Sequence, residues 1–126
     1  MRGAMKPLSW VGSSYEDFKT FPAPVQHDMG FALYVAQCGD RHPDAKPLKG
    51  FGGAGVMEIV ESFDGNAYRA AYTVKFAKRV FVPHAFQKKS RKGIATPAQE
   101  IALIKKRLRL AADEYRRLQE EDQANG

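Results

Sequence analysis

An imidazole, an aromatic ring and a run of cations follow one another at the end of an apolar stretch of the sequence. His84 and Phe86 are two residues apart, and a cluster of four cations comes directly after them. Because alternate residues of a strand point to the same face, the two rings should share a face if this stretch is extended. A titratable ring beside an electropositive rim suits acid–base chemistry on a polyanion. The cations are Lys88, Lys89, Arg91 and Lys92.

Further basic residues could contribute to the same chemistry. Lys46 and Lys49 lie in a stretch rich in Gly and Pro, and Arg69 lies on a predicted strand. Metal-free cleavage of RNA needs an acceptor for the 2′-hydroxyl proton, cations that stabilise the phosphorane, and a donor for the leaving 5′ oxygen. Lys, Arg and His can fill these roles. Phe51 or Phe86 could stack on an unstacked base.

Each candidate also has a structural interpretation. Lysines in such loops are often only solvated, and His84 could be an edge histidine with a satisfied hydrogen bond. Arg69 lies on the strand face opposite Tyr68 and Tyr72, so we expect it to face solvent or a bound ligand. Tyr72 alternates with apolar residues and is predicted to be buried, with a partner for its hydroxyl group.

The sequence predicts neither a metal site nor a cofactor. His27, in a predicted helix, and His42, in a predicted loop, have no second ligand at metal spacing. Cys38 is the single cysteine, which excludes a disulfide framework and a Cys-based zinc site and indicates a reducing compartment. There is no membrane-spanning apolar run and no signal-peptide pattern, so we expect a cytoplasmic protein.

The charge of the chain is unevenly distributed. Lys and Arg number 20 against 14 Asp and Glu, a formal net charge of +6. Between Arg69 and Arg109, twelve basic residues accompany a single acid, Glu100, which leaves a local excess of eleven positive charges. Such segregation suits a surface that holds phosphates, because each neutralised phosphate releases counterions. The alternative is a face that serves solubility.

The elements that must position these residues can be read from the pattern of the chain. A short apolar strand is expected over residues 6–11, followed by a short helix that the Ser13 and Glu16 capping-box spacing predicts. A second helix should run from Pro24 to Gly39. Residues 39–55 are predicted to be loop.

The second half of the chain predicts three strands and a helix. Residues 56–63, 68–76 and 79–86 alternate or are apolar, with short connections, as in an antiparallel meander. Thr96-Pro97 then starts a helix whose apolar residues recur at helical spacing to Leu118, with fraying from Glu120.

This order predicts an α+β fold in a single domain, residues 1–126, with its core over about residues 6–118. A small antiparallel sheet, made of the N-terminal strand and the three-stranded meander, should pack against two N-terminal helices and one C-terminal helix.

Five short segments, in this order and spacing, resemble a known family. They are residues 44–50 (Asp-Ala-Lys-Pro-Leu-Lys-Gly), 57–59 (Met-Glu-Ile), 67–72 (Ala-Tyr-Arg-Ala-Ala-Tyr), 84–89 (His-Ala-Phe-Gln-Lys-Lys) and 96–97 (Thr-Pro). Together they resemble the RelE/HigB-like toxins of bacterial toxin–antitoxin pairs, in particular the phage-derived branch. The resemblance covers roughly Leu8 to Arg109.

The resemblance implies a compact ribonuclease-like fold, cleavage of mRNA, usually on the ribosome, and an antitoxin, in this branch commonly a helix-turn-helix protein. It also implies roles for individual residues. By position, the family's cationic site would fall on Lys46, Lys49, Arg69, Lys88 and Lys89, with His84 and Phe86 beside them. Together with the cation run, this predicts catalytic roles for Arg69, His84, Lys88 and Lys89, and RNA-binding roles for Lys46, Lys49, Phe86, Arg91 and Lys92.

One position departs from the family pattern. Val60 stands two residues after Glu58, where many relatives have an arginine, so one phosphate-stabilising cation is absent or comes from elsewhere. Which residue is the general base also varies within the family. The competing interpretation is therefore a non-catalytic phage-derived module of the same fold that binds RNA or protein.

Overall fold

The computed structural model describes residues 5–53, 55–88 and 96–125. It confirms the α+β class, with three helices and a small antiparallel sheet in the described residues. The elements are β1 (Leu8–Trp10), α1 (Ser14–Lys19), α2 (Ala23–Gln37), β2 (Ala45–Pro47), β3 (Val56–Phe63), β4 (Asn66–Thr73), β5 (Val80–Val82), β6 (His84–Lys88) and α3 (Ala98–Asn125).

The main sheet has four antiparallel strands in the order β2-β3-β4-β6. Its central hairpin, β3 and β4, turns at Asp64 and Gly65, both of which have positive φ. Asp and Gly tolerate this conformation well, so the turn fixes the hairpin register. That register places Glu58 opposite Ala71 and Val60 opposite Arg69.

The predicted make-up of the sheet was wrong at three places. The third meander strand breaks at Pro83, since proline has no N–H to continue a ladder, and its two halves join different sheets. β1 pairs in parallel with β5 instead of entering the antiparallel sheet. Residues 45–47, predicted to be loop, form β2 at the edge of the main sheet.

One face of the main sheet packs against α1, α2 and the segment between them. The buried cluster here joins strand residues such as Ile59 and Tyr72 to Val25, Met29 and Leu33 of α2. The predicted burial of Tyr72 is confirmed, and desolvation by burial raises the pKa of its hydroxyl. This cluster is the larger part of the core.

The opposite face of the sheet is also covered. Ile104 and Leu108 of α3 pack with Val56, Ala71 and the residue after β2, Leu48. The sheet therefore lies between α2 on one side and α3 on the other. Helix α3 runs on to Asn125 rather than fraying at Glu120, and ion pairs such as Arg117 with Glu114 and Glu121 support its last turns.

No helix in the described part of the chain combines the length and the apolar character needed to cross a membrane.

Candidate active site

The strand register aligns several of the predicted site residues on one face of the sheet. Lys46 lies opposite Glu58, Glu58 opposite Ala71, and Ala71 opposite His84, which makes one row across all four strands. Residues directly opposite in antiparallel strands share a face. The next row on that face holds Arg69 opposite Phe86.

Glu58 is the hub of this face. Its Oε2 atom lies 3.2 Å from Nη1 of Arg69 and accepts a hydrogen bond of 3.0 Å from the hydroxyl of Thr96. The Oε1 atom lies 3.7 Å from Nζ of Lys46, whose side chain is 56% exposed. Glu58 itself is only 6% exposed. These charged and polar partners compensate the burial of its carboxylate.

The expected exposure of Arg69 was wrong. The residue lies on the face opposite Tyr68 and Tyr72, as predicted, but it is only 2% exposed. Its guanidinium pairs with Glu58, and Nη1 lies 3.5 Å from the Thr96 hydroxyl. The charge can remain buried because an acid compensates it.

His84 lies at the start of β6 with a partner at each ring nitrogen. Nε2 lies 2.7 Å from Oε2 of Glu100, and Nδ1 lies 3.5 Å from Nη1 of Arg107. The residue is 6% exposed, and its ring stacks on Phe86 with 4.8 Å between ring centroids and 19° between the planes. The prediction that His84 and Phe86 share a face is confirmed.

A cleft of about 490 Å³ opens beside these rings. Its volume is that of a site for a small ligand or for one unit of a polymer. Both rings, Lys88 and Glu100 contribute to it, so aromatic, cationic and acid–base groups meet at one opening. The lining residues are Asp17, Thr20, Phe21, His84, Ala85, Phe86, Gln87, Lys88, Pro97, Gln99 and Glu100.

Three predicted RNA-contacting positions, Lys46, Lys49 and Phe51, are not among the described residues that line the cleft. Lys46 lies beside Glu58 on the same face of the sheet. Lys49 is exposed in the loop after β2. Phe51 packs on the apolar cluster between the sheet and α3, and the ammonium group of Lys105 lies 5.8 Å from the centre of its ring. Phe86 is therefore the better placed of the two proposed stacking rings.

Comparison with known proteins places the chain in a family. Residues 16–109 match the family described as "Phage derived protein Gp49-like (DUF891)". The chain belongs to this family. The match confirms the resemblance to the phage-derived branch of the RelE/HigB-like toxins. No curated protein shows significant similarity to the chain.

Among solved structures, this Gp49-like protein is similar to a doubly substituted mutant of the E. coli toxin RelE in the free state. The two chains are 16% identical with a TM-score of 0.49, and the similarity covers 66% of this chain and 83% of that one.

Three of the predicted site residues of the Gp49-like protein, Lys89, Arg91 and Lys92, lie outside the described residues. Their roles stay predictions. Val60, at the position often occupied by arginine in relatives, lies directly opposite Arg69 and on the same face. Of these two opposite positions, 60 and 69, only position 69 therefore carries a guanidinium group.

The two remaining histidines do not join the site. His27 is exposed beside Asp28, with 3.3 Å between Nδ1 and Oδ1, and His42 contacts Asp44 in the segment before β2. In the described ranges, no group of three or more His, Cys, Asp or Glu residues is arranged to hold a metal ion.

Sequence reasoning missed three residues of the site. Glu58 belongs to a segment that carried the family resemblance, but its partners depend on strand register. Glu100 is the one acid between Arg69 and Arg109 in the sequence, and this isolated position could have indicated a role for it. Arg107 was counted with the surface cations, although its guanidinium is directed at the His84 ring.

Proposed function

We propose that this Gp49-like protein is the toxin of a toxin–antitoxin pair and a metal-independent endoribonuclease. Its substrate in this proposal is mRNA, cleaved on the ribosome, and its inhibitor is a cognate helix-turn-helix antitoxin. The cytoplasm is the site of action. The family match and the local excess of basic residues support this proposal.

The observation that carries the proposal is the set of groups on one face of the sheet. A carboxylate, a guanidinium and an imidazole, from Glu58, Arg69 and His84, occupy adjoining rows of three neighbouring strands. With strands about 4.8 Å apart, Glu58 and His84 are separated by about 10 Å of sheet. A scissile phosphate could lie between them beside Arg69.

The groups match the three roles that cleavage requires. Glu58 takes the proton of the 2′-hydroxyl group, and the 2′ oxygen attacks phosphorus. Arg69, with Lys88 at the cleft and Lys89 by its sequence position, stabilises the charge of the phosphorane. The bond from phosphorus to the 5′ oxygen breaks, and the His84–Glu100 pair, in its protonated form, gives that oxygen a proton. The products are a 2′,3′-cyclic phosphate and a 5′-hydroxyl end.

RNA would reach these groups in stages. Arg69 and Glu58 are almost fully buried, so a phosphate can contact them only when Thr96 gives up its hydrogen bonds. Lys46 is exposed, and Phe86 and Lys88 are half-buried, so these side chains make the first contacts. Phe86 stacks on His84 and lines the cleft, so in this proposal a base enters the cleft and stacks against it.

A second candidate function has its own supporting observation. Arg69 and Glu58 neutralise each other inside the protein. Each charge needs the other in order to be buried, so the pair can be explained without any catalytic role. Together with Val60, this pairing favours a non-catalytic module that uses the exposed lysines to bind RNA or protein.

Expression in bacteria separates the two functions. The wild-type chain is induced with and without the neighbouring reading frame, and growth and primer-extension maps of cellular mRNA are recorded. A toxin arrests growth and cuts mRNA, and coexpression of a small helix-turn-helix neighbour relieves both effects. The double substitution Lys88→Ala with Lys89→Ala should relieve arrest while leaving the circular dichroism spectrum unchanged. Growth without arrest and uncut mRNA would favour the binding module.

A further inference from the structure

Both nitrogens of the His84 ring contact the same helix. Glu100 and Arg107, which approach Nε2 and Nδ1 respectively, are seven residues apart on α3. Seven residues correspond to about two helical turns, so the two side chains project from one side of the helix. The imidazole lies between them.

Arg107 is held in place by several elements. Nη1 donates to the carbonyl oxygen of Pro83 at 3.0 Å, and Nη2 donates to the hydroxyl of Ser13 at 3.1 Å. The backbone approaches so closely at Gly12 that a Cβ atom there would lie 2.8 Å from Nε of Arg107. A side chain fixed in this way acts as part of the scaffold rather than as a mobile phosphate ligand.

Ser13 carries the contact further. The sequence predicted that its hydroxyl caps α1, but it makes no side-chain bond to the helix backbone. Instead it donates to Oδ2 of Asp17 at 2.9 Å, and Asp17 lines the cleft. Arg107 thus connects the histidine with a second residue of the cleft wall.

Glu100 is fixed from the other direction. Its backbone N–H bonds to the carbonyl oxygen of Pro97 at the start of α3, and Ile104, one turn on, is buried against the sheet. The Glu100 side chain is 20% exposed and lines the cleft. Its carboxylate therefore meets both the histidine and the opening.

We infer that Glu100 and Arg107 are positioning residues that hold His84 as the Nε2–H tautomer, with its ring proton bound by the Glu100 carboxylate that lines the cleft. An arginine can only donate hydrogen bonds, so the Nδ1 atom facing it must be the unprotonated nitrogen. Nε2 then carries the proton and donates a hydrogen bond to the Glu100 carboxylate. The effect on cleavage rests on the proposed function, whereas the tautomer does not.

The same arrangement explains why an acid stands alone in the basic part of the sequence. A carboxylate opposite a histidine orients the ring and stabilises one tautomer, as it does for histidines that bind metals. An acid without a cationic or imidazole partner in this part of the chain would only oppose phosphate binding. At position 100 it serves the histidine.

The tautomer is measured directly by nitrogen-15 NMR of the labelled full-length chain. We expect His84 to show a protonated Nε2, an unprotonated Nδ1 and a slowly exchanging ring proton shifted downfield, with His27 and His42 as internal references. In Glu100→Gln that proton should exchange faster and move upfield. Glu120→Gln, on an exposed part of the same helix, is the matched control and should change nothing.

Arg107→Lys distinguishes positioning from phosphate binding, because lysine keeps the charge but cannot hold Pro83, Ser13 and the ring at once. We expect a mixture of tautomers in this variant. Cleavage should fall by about 10-fold to 100-fold in both variants, the usual scale for a lost orienting partner, with RNA affinity at fixed salt unchanged.

Three results would overturn the inference. One is a wild-type His84 that is protonated at Nδ1. This result needs no variant, so a folding defect in a variant cannot explain it. Another is an unchanged tautomer and rate in Arg107→Lys. The third is faster cleavage in Glu100→Gln, which would make Glu100 an obstruction of the cleft. If the wild-type chain cuts no RNA, the proposed function fails, but the ring signals still decide the role of the two side chains.

Discussion

Glu58 and Arg69 are diagonal neighbours on adjacent strands, with 3.2 Å between Oε2 and Nη1, and each is almost completely buried. Breaking a buried ion pair by removing one partner leaves an uncompensated charge inside the protein. The pair therefore links the stability of the sheet to the residues proposed for catalysis. It also explains how an arginine can occupy a face that α3 covers.

A double-mutant cycle tests this coupling. We expect Glu58→Gln and Arg69→Met each to lower the free energy of unfolding by about 3 kcal/mol, because each strands one charge. The double variant should lose clearly less than the sum of the two, since neither charge remains. Urea denaturation followed by circular dichroism measures all four proteins. Additive losses would show that the two side chains are stabilised independently.

The sequence predicted the faces of β4 correctly but not their surroundings. Alternation placed Arg69 away from Tyr68 and Tyr72, and a polar face normally implies solvent. Here Thr96, 38 residues beyond Glu58 along the chain, closes that face. Such a contact depends on the path of the chain between the strands and α3, which no local pattern records.

The broken strand could have been foreseen, whereas the pairing of its halves could not. Pro83 lacks the N–H that a central strand requires, so a break within residues 79–86 follows from the sequence. The parallel pairing of β5 with β1 joins residues about 70 positions apart, from Leu8 with Val80 to Trp10 with Val82. Only the packed structure brings them together.

The candidate site shows the same division. The shared face of His84 and Phe86 follows from their spacing of two residues on a strand, and it was predicted. The stacking of the two rings on each other is seen only in the structure. Glu58 and Glu100 were not predicted, because acids carry no periodic signal and their roles depend on which cations lie across the strands or along α3. Strand register determines the partners of Glu58, and the placement of α3 determines the partner of Glu100.

Glu61 should make the protein less stable as the pH rises. Burial first, and then a hydrogen bond and repulsion from Asp44 with weaker repulsion from Asp28, raise the pKa of Glu61 from 4.5 to about 7. The folded state therefore holds a proton that the unfolded state releases. Stability from this group is complete below pH 4.5 and is lost as the pH rises through 7.

Glu61→Gln removes this titration. We expect the variant to be more stable than the wild type at pH 8, by on the order of 1 kcal/mol because partial exposure weakens the effect, and to differ little near pH 4. Thermal melts across this pH range give the comparison, with Glu120→Gln as the exposed control. A constant difference at every pH would rule out titration of Glu61 as the cause.

Binding of RNA should weaken steeply with salt, since the basic residues between Arg69 and Arg109 outnumber the acids by eleven. Each phosphate neutralised on a single strand should contribute a slope of about −0.7 to the plot of log affinity against log salt concentration. Fluorescence anisotropy with a labelled oligonucleotide measures the slope. Lys88→Ala with Lys89→Ala should make it shallower. A flat profile would assign the basic surface to another partner, such as an acidic antitoxin segment.

The proton chemistry of His84 provides the most specific test of the proposed reaction. His84→Gln keeps hydrogen bonding but cannot titrate, so cleavage should fall by about 10² or more while RNA affinity stays nearly unchanged. If the proposed reaction occurs, the wild-type protein should cut in the presence of a chelator, leave a 2′,3′-cyclic phosphate, and spare an oligonucleotide with deoxyribose at the cleaved position. Its pH–rate profile should change in the variant. Gln at position 84 can still accept a hydrogen bond from Arg107, so a normal rate in this variant would make His84 a structural residue and leave proton transfer to Glu58 and the lysines.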